Sequence, residues 1–223
     1  DVYKRQLHQL ARALRDLGHD ARIVYLAAVD PVARHGSELV FATIDDPCPP
    51  EYAEYRVPHT AVVPDTAGTL IVLPEIWPDL PLHFHAACGF LWWLSVDFAP
   101  ATLRCPERLA ALHERGWVHL VQSYHAEAFL GRRGIASLPL SDYISPRYRL
   151  TARCTGPRRE DRVLYNARGQ FYAWILRALT PGLRWRRLAG MTPADVQAQF
   201  LMAKAYVDFG HHPGKDRMPR EAA

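Results

Sequence analysis

Apolar residues follow two patterns along the chain, a helical spacing in some segments and short continuous runs in others. From Leu7 to Leu17 the apolar positions share one helical face, and Gly18 then ends the predicted helix. The run from Ala21 to Ala27 predicts a strand. This order of helix, turn and strand indicates the second half of a βαβ unit, whose first strand would precede the chain.

The next part of the chain alternates buried strands with helices. Residues 30–68, rich in Pro, Asp and Glu, are expected to form loops with one short strand at most. Beyond them the pattern predicts strands at 69–73, 89–96, 118–122 and 135–138, and helices at 106–115 and 123–130. Because the strands are apolar throughout and separated by helices, they indicate a parallel sheet that is covered on both faces.

The same alternation returns after a stretch with Pro146, Gly156 and Pro157, which predicts a linker over 141–160. Strands are predicted at 162–165, 183–188 and 205–209, and helices at 169–179, at 192–203 with Thr192 as cap, and from about 219 onwards. This βαβαβ order is typical of a mononucleotide-binding half.

The predicted fold class is therefore α/β, with two Rossmann-like domains at 7–150 and 160–223, both incomplete. Residues 1–6 resemble the translation of a transposase end used in preparing sequencing libraries, and we expect them to be non-native. At the other end the chain stops where a helix has just started. We therefore expect the sequence to be a fragment of a longer reading frame.

The composition of the chain bears on which classes of function are compatible with it. The 223 residues are 49% apolar and 22% charged, with a formal net charge of +4, which is ordinary for a folded domain. The basic residues are dispersed, which disfavours nucleic-acid binding, and no apolar run is long enough to span a bilayer. The four cysteines lack paired spacing, so we expect buried thiols and a cytoplasmic location; peripheral membrane contact remains compatible with the sequence.

The segment 206–223 carries the most chemistry. A strand leads into a loop with Gly214, Lys215 and Arg217, and a helix then begins with Glu221 in its first turn. The loop cations and helix-end amides suit a diphosphate, and Glu221 suits a ribose. The alternative is a solvated loop whose Glu221 only favours the helix dipole.

This segment resembles the nucleotide-sugar site of GT-B glycosyltransferases, through Gly214, Pro219, Glu221 and Ala222. Most of residues 7–223 also resemble a bacterial group of glycosyltransferase-like proteins, in strings such as Trp92–Asp97 and Leu140–Ile144. The resemblance implies transfer of a sugar from a nucleotide-sugar donor to a hydroxyl of a glycan or small-molecule acceptor, in polysaccharide or glycoconjugate synthesis. We expect the transfer to be metal-independent, because the sequence shows no metal-binding motif. The resemblance implies no other cofactor, and Glu221 would hold the ribose.

Two further positions follow from the resemblance. Many retaining members carry a second Glu where this chain has Pro213, so either His211 or His212 holds the donor sugar or the enzyme is not of the retaining class. Arg168 stands where such enzymes place a basic residue against the diphosphate. An ordinary strand-to-helix turn explains Arg168 equally well.

In the first domain, Glu75, Asp97 and Tyr124 are candidates for the acceptor side, since each lies at or just beyond the end of a predicted strand. A carboxylate or histidine there would take the proton of the acceptor hydroxyl. A strand-end carboxylate is more often only a cap.

A histidine pair and a tryptophan pair offer further candidate chemistry. His83 and His85 would make a metal pair but lack a third ligand at fitting spacing. Trp92 and Trp93 suit core packing better than stacking on a sugar.

Another Rossmann-type enzyme is disfavoured, because the chain lacks the glycine-rich dinucleotide fingerprint. A non-catalytic GT-B-like protein that binds a sugar or a partner remains the main alternative.

Overall fold

The computed structural model describes residues 2–44, 48, 50–144, 159–166, 170–209 and 217–222. The chain divides into two compact units, unit 1 over 1–142 and unit 2 over 143–223. Both contain helices and strands, and the sheets include parallel and antiparallel pairs, so the α/β class predicted from the sequence is confirmed.

Unit 1 begins with a helix and an antiparallel sheet. Helix α1 spans Val2–Asp16, and strands β1 (Leu26–His35), β2 (Glu38–Thr43) and β3 (Val62–Pro64) pair in that order. The first two strands form a hairpin with a two-residue turn, where Gly36 adopts a φ of 60° that favours glycine.

The sequence expectation for this region was wrong in two respects. Residues 30–68 form most of an antiparallel sheet, whose pattern was obscured by the register shifts around Pro31. The predicted strand at 21–27 begins only at Leu26. Ile23 and Tyr25 are buried against α1, but Ile23 has a single bridge to His59 instead of a paired strand.

The rest of unit 1 is a parallel sheet with its helices. The strands are β4 (Leu70–Pro74), β5 (Cys88–Trp93), β6 (Val118–Val121) and β7 (Ser137–Pro139), hydrogen-bonded in that order and all parallel. The connections carry a 3-10 helix at Leu80–His83 and helices α2 (Ala101–Arg104), α3 (Pro106–Glu114) and α4 (Tyr124–Gly131). The helix and strand types predicted over 69–138 are confirmed, to within a few residues at each end.

The core of unit 1 lies around β5. Trp92 and Trp93 are fully buried, which agrees with core packing for this pair. Gly89, in the same strand, lies directly under the indole of Trp117. A Cβ atom at position 89 would come within 2.3 Å of that ring, so only glycine fits there.

A buried carboxylate ties the two sheets of unit 1 together. Asp65 follows β3 and accepts hydrogen bonds from the backbone N–H groups of His85, Ala86 and Ala87, at 2.8–3.0 Å. Arg34 adds a longer contact of 3.4 Å. Burial raises the pKa of Asp65, but the backbone hydrogen bonds and Arg34 outweigh it and lower the pKa to about 2.

Unit 2 contains a three-stranded parallel sheet. Strands β8 (Glu160–Asn166), β9 (Arg184–Leu188) and β10 (Ala203–Val207) lie in the order β10-β8-β9. Helix α5 (Gln170–Leu179) joins β8 to β9, α6 (Pro193–Met202) joins β9 to β10, and α7 (Arg217–Ala222) follows. Thr192 and Asp195 form a reciprocal capping box at the start of α6, as the sequence predicted for Thr192.

Two further expectations from the sequence concern the burial of the cysteines and the presence of a membrane-spanning helix. Of the described cysteines, Cys88 is exposed and Cys48 and Cys105 are half-buried, so the expectation of buried thiols was wrong for these three. Among the described helices, none has both the length and the apolarity needed to cross a bilayer.

Candidate functional site

The carboxyl ends of the parallel strands in unit 1 carry polar side chains, as predicted. Glu75 follows β4 and is fully buried, with its carboxylate accepting from the backbone N–H of Leu94 at 3.1 Å and of Ser95 at 2.7 Å. Gln122, after β6, donates to the carbonyl of Leu94 at 2.6 Å. These bonds hold the chain beyond β5 in place. Glu75 is therefore suited to positioning that segment, since its carboxylate is sequestered from solvent.

Asp97 is the accessible carboxylate at the same edge. Its Oδ1 lies 3.8 Å from Nε2 of His125, and the two side chains are 38% and 53% exposed. The fold places them together because Asp97 lies just beyond β5 and His125 just beyond β6, the neighbouring strand. Ser123 fixes the start of α4 by accepting from the backbone N–H of Ala126 at 3.3 Å. Tyr124 is the first residue of this helix and is exposed.

His125 was missed from the sequence. Its pairing with Asp97 spans two strands, and a single sequence does not reveal which side chains meet across a sheet. The signal available was its position in the first turn of a helix that follows a buried strand, the place where open α/β sheets bind ligands. An accessible imidazole can take a proton from a bound hydroxyl, which suits general base catalysis.

In unit 2 the carboxyl edge has a topological switch point. The order β10-β8-β9 means that the chain leaves β8 towards β9 and returns on the other side to β10. In open α/β sheets, ligands bind beyond the carboxyl ends of the strands at such a point. Asn166 and Asp208 lie there, joined by a 2.5 Å hydrogen bond from the Asn166 amide to the Asp208 carboxylate. The hydroxyl of Tyr206 donates to the same carboxylate at 2.8 Å. None of these three side chains was predicted from the sequence as a site residue.

Glu221 is the predicted ribose residue and is buried in α7. That helix is held against the sheet by Met218, which packs on the buried cluster around Leu164 and lies 3.9 Å from the Tyr206 hydroxyl. A cavity of about 240 Å³ lies beside the edge strand β10. Its lining includes Arg159, Leu164, Phe200, Lys204, Tyr206 and Pro219.

Several predicted binding residues lie outside the described part of the chain. They are Arg168, His211, His212, Gly214 and Lys215, together with the departure at Pro213. Arg217 is the first residue of α7, but its side chain is outside the described part too. Their assignment to a donor site stays a prediction.

The histidine pair considered for metal binding has other surroundings. His83 ends a 3-10 helix and places Nε2 3.1 Å from a carboxylate oxygen of Asp30, whereas His85 lies in the loop before β5. Within the described ranges, no group of three or more His, Cys, Asp or Glu side chains comes together as a metal site.

Comparison with known proteins adds no family to this geometry. Neither the protein-family models, nor the curated proteins, nor the solved structures contain a match to the chain.

Proposed function

We propose that this protein is a glycosyltransferase-like enzyme of the GT-B type, which transfers a sugar from a nucleotide-sugar donor to an acceptor hydroxyl. The observation that carries the proposal is the Asp97–His125 pair at the carboxyl edge of the parallel sheet in unit 1. It joins an exposed base to a carboxylate at the edge where α/β sheets bind ligands. The resemblance of the 206–223 segment to a nucleotide-sugar site supplies the class of reaction.

The chemistry assigned to unit 1 is removal of a proton from the acceptor. In a single displacement, Nδ1 of His125, the ring nitrogen other than the one that faces Asp97, takes the proton of the acceptor hydroxyl while the hydroxyl oxygen forms a bond to the anomeric carbon. The bond from that carbon to the diphosphate breaks, and the diphosphate leaves with the electron pair. Asp97 lies beside this ring, with its Oδ1 3.8 Å from Nε2.

The donor is assigned to unit 2. Two features support this assignment, the switch point beside Asn166 and Asp208 and the short helix that carries Glu221. Arg168, Lys215 and Arg217 would contact the diphosphate, with His211 or His212 at the sugar and Glu221 at the ribose. Cations and backbone amides around a leaving diphosphate stabilise the developing charge.

Calorimetry on the complete reading frame tests the donor site, with UDP, GDP, ADP and dTDP as ligands. We expect one nucleotide to bind, and Glu221→Ala to weaken it by more than about tenfold, or roughly 1.4 kcal/mol. Glu221→Gln, which keeps the shape of the buried side chain, separates lost hydrogen bonding from lost packing. Absence of binding by all four nucleotides would refute the proposal.

Substitutions at the base test catalysis separately. Asp97→Asn and His125→Gln should each lower the transfer rate by about 100-fold or more while nucleotide affinity stays unchanged. Asp16→Asn, on the exposed side of α1, is the matched control and should have the parent rate. An unchanged rate in both Asp97→Asn and His125→Gln would refute the assignment of the base.

Pro213 favours a second function. Where many retaining enzymes carry a Glu this chain has Pro213, which suits a non-catalytic GT-B-like protein that binds a sugar or a partner in a polysaccharide assembly system. Tight nucleotide binding without transfer or donor hydrolysis, across a broad set of acceptors, would support this alternative.

A further inference from the structure

Two exposed aromatic residues are direct sequence neighbours of the Asp97–His125 pair. Phe98 follows Asp97 directly and is 63% exposed, and Tyr124 precedes His125 directly and is 83% exposed. Single exposed apolar residues are common on proteins. Here each exposed ring belongs to the direct sequence neighbour of one member of a carboxylate–imidazole pair that lies beyond β5 and β6.

The local structure explains why neither ring is used for packing. Helix α4 buries Ala126, Phe129 and Leu130, and Tyr124 lies in its first turn outside that buried set. Phe98 lies in the turn that leads to Ala99, which is itself buried in the core. The fold is therefore complete without either ring, and both are free to contact a ligand.

We propose that Phe98 and Tyr124 form a stacking platform for a carbohydrate, which presents one hydroxyl to the Asp97–His125 pair. A sugar ring has C–H groups on its faces and hydroxyls at its rim. Aromatic side chains likewise offer an apolar face, and tyrosine adds a polar tip. The Asp97 carboxylate disfavours an anionic ligand at this position and accepts hydrogen bonds from a neutral polyol.

The inference deepens the proposed function, since the platform would hold the acceptor of the transfer reaction. It specifies the acceptor as a saccharide with an accessible ring face. Binding of the saccharide itself requires no donor, so the platform can be tested independently of catalysis.

Saturation-transfer NMR on the full chain provides the test, with cellotriose and chitotriose as probes. Irradiation of the protein aromatic protons should transfer saturation to the ring C–H protons of at least one trisaccharide. Phe98→Ala and Tyr124→Ala should each weaken binding by about tenfold, the scale of one lost stacked ring. Tyr124→Phe should bind like the parent, whereas Tyr124→Leu, which is apolar but not aromatic, should bind like Tyr124→Ala.

The matched control is Phe171→Ala, which removes a 68% exposed aromatic ring from unit 2 and should leave trisaccharide binding unchanged. All these side chains are exposed, so circular dichroism should show every variant folded. The inference is overturned if neither trisaccharide receives saturation, or if Phe98→Ala and Tyr124→Ala bind no more weakly than Phe171→Ala.

Adding the four nucleoside diphosphates to the same samples separates the two proposals. Saccharide binding without nucleotide binding would support the platform and refute the transferase assignment. Nucleotide binding without saccharide binding would overturn the platform and leave the transferase assignment standing.

Discussion

His119 should make the stability of unit 1 depend on pH between about 6.5 and 4. This side chain lies in β6 and is fully buried, and its Nδ1 accepts a hydrogen bond from the indole N–H of Trp93 at 2.9 Å. The imidazole is therefore neutral, with its proton on Nε2. Protonation of Nδ1 would turn two donors towards each other and place a charge in the core. Burial, and then the charge of His113, lower the pKa of His119 to about 4.

The sign and size of the effect follow from linkage. The unfolded chain has an ordinary histidine pKa of 6.5, so between the two pKa values the unfolded state binds more protons and stability falls as pH falls. From about pH 7.5 to about pH 5, this one group lowers the free energy of unfolding by about 2 kcal/mol. Above the unfolded pKa its full contribution is present.

Urea unfolding at both pH values measures the effect in the parent chain and in His119→Gln. Glutamine does not titrate, and its side-chain oxygen can still accept from the Trp93 indole. The loss between the two pH values should therefore be smaller in His119→Gln by about 2 kcal/mol. Contributions from unit 2 are shared by both chains and cancel in this difference. His19→Gln removes an exposed imidazole and serves as the control, with the parent's pH dependence.

Equal pH dependence in the parent and in His119→Gln would refute the reasoning. It would mean that the imidazole is already solvated or charged in the folded state. The Trp93 indole N–H could then not donate to a neutral, buried Nδ1 of His119.

Three other substitutions test interactions within unit 1 or within unit 2. Gly89→Ala should lower the free energy of unfolding by about 2 kcal/mol or more, because the new methyl group meets the Trp117 indole; Gly68→Ala, with nothing within 4 Å of the added atom, should be near neutral in the same denaturant titration. Asp65→Asn should cost about 2 kcal/mol at neutral pH, a difference that is present above pH 3.8 and disappears as the pH falls towards 2, measured by thermal melts across that range. Thr192→Ala should cost about 1 kcal/mol and lower the melting temperature of unit 2, whereas Thr192→Ser, which keeps the cap, should not.

The parts of the fold that sequence alone predicted are those with one dominant local signal. Strands β4, β5 and β6 are short apolar runs flanked by turns, and α6 begins with a cap and a proline, so periodicity and capping identify them. The hairpin of β1 and β2 lacked such a signal. Its strands are only half-buried, and Pro31 interrupts their alternation.

In the candidate site, too, the residues with a local sequence signal were predicted and those without one were not. Asp97 was identified because a polar residue at the end of an apolar strand can be recognised from the sequence alone. Its partner His125 is 28 positions away (125 minus 97) and meets it only because β5 and β6 are neighbours in the sheet. The sequence also did not show that Glu75 is buried whereas Asp97 is accessible. That difference depends on how the chain turns after β5.

The close approach of Gly89 and Trp117 has a consequence for how this sequence can change during evolution. A larger side chain at position 89 collides with the indole, and a smaller one at 117 leaves a void over β5. Each single substitution is therefore selected against, while a paired exchange of volume between the two positions is tolerated. Related sequences should vary at these two positions together, which would allow the contact to be recognised from an alignment alone.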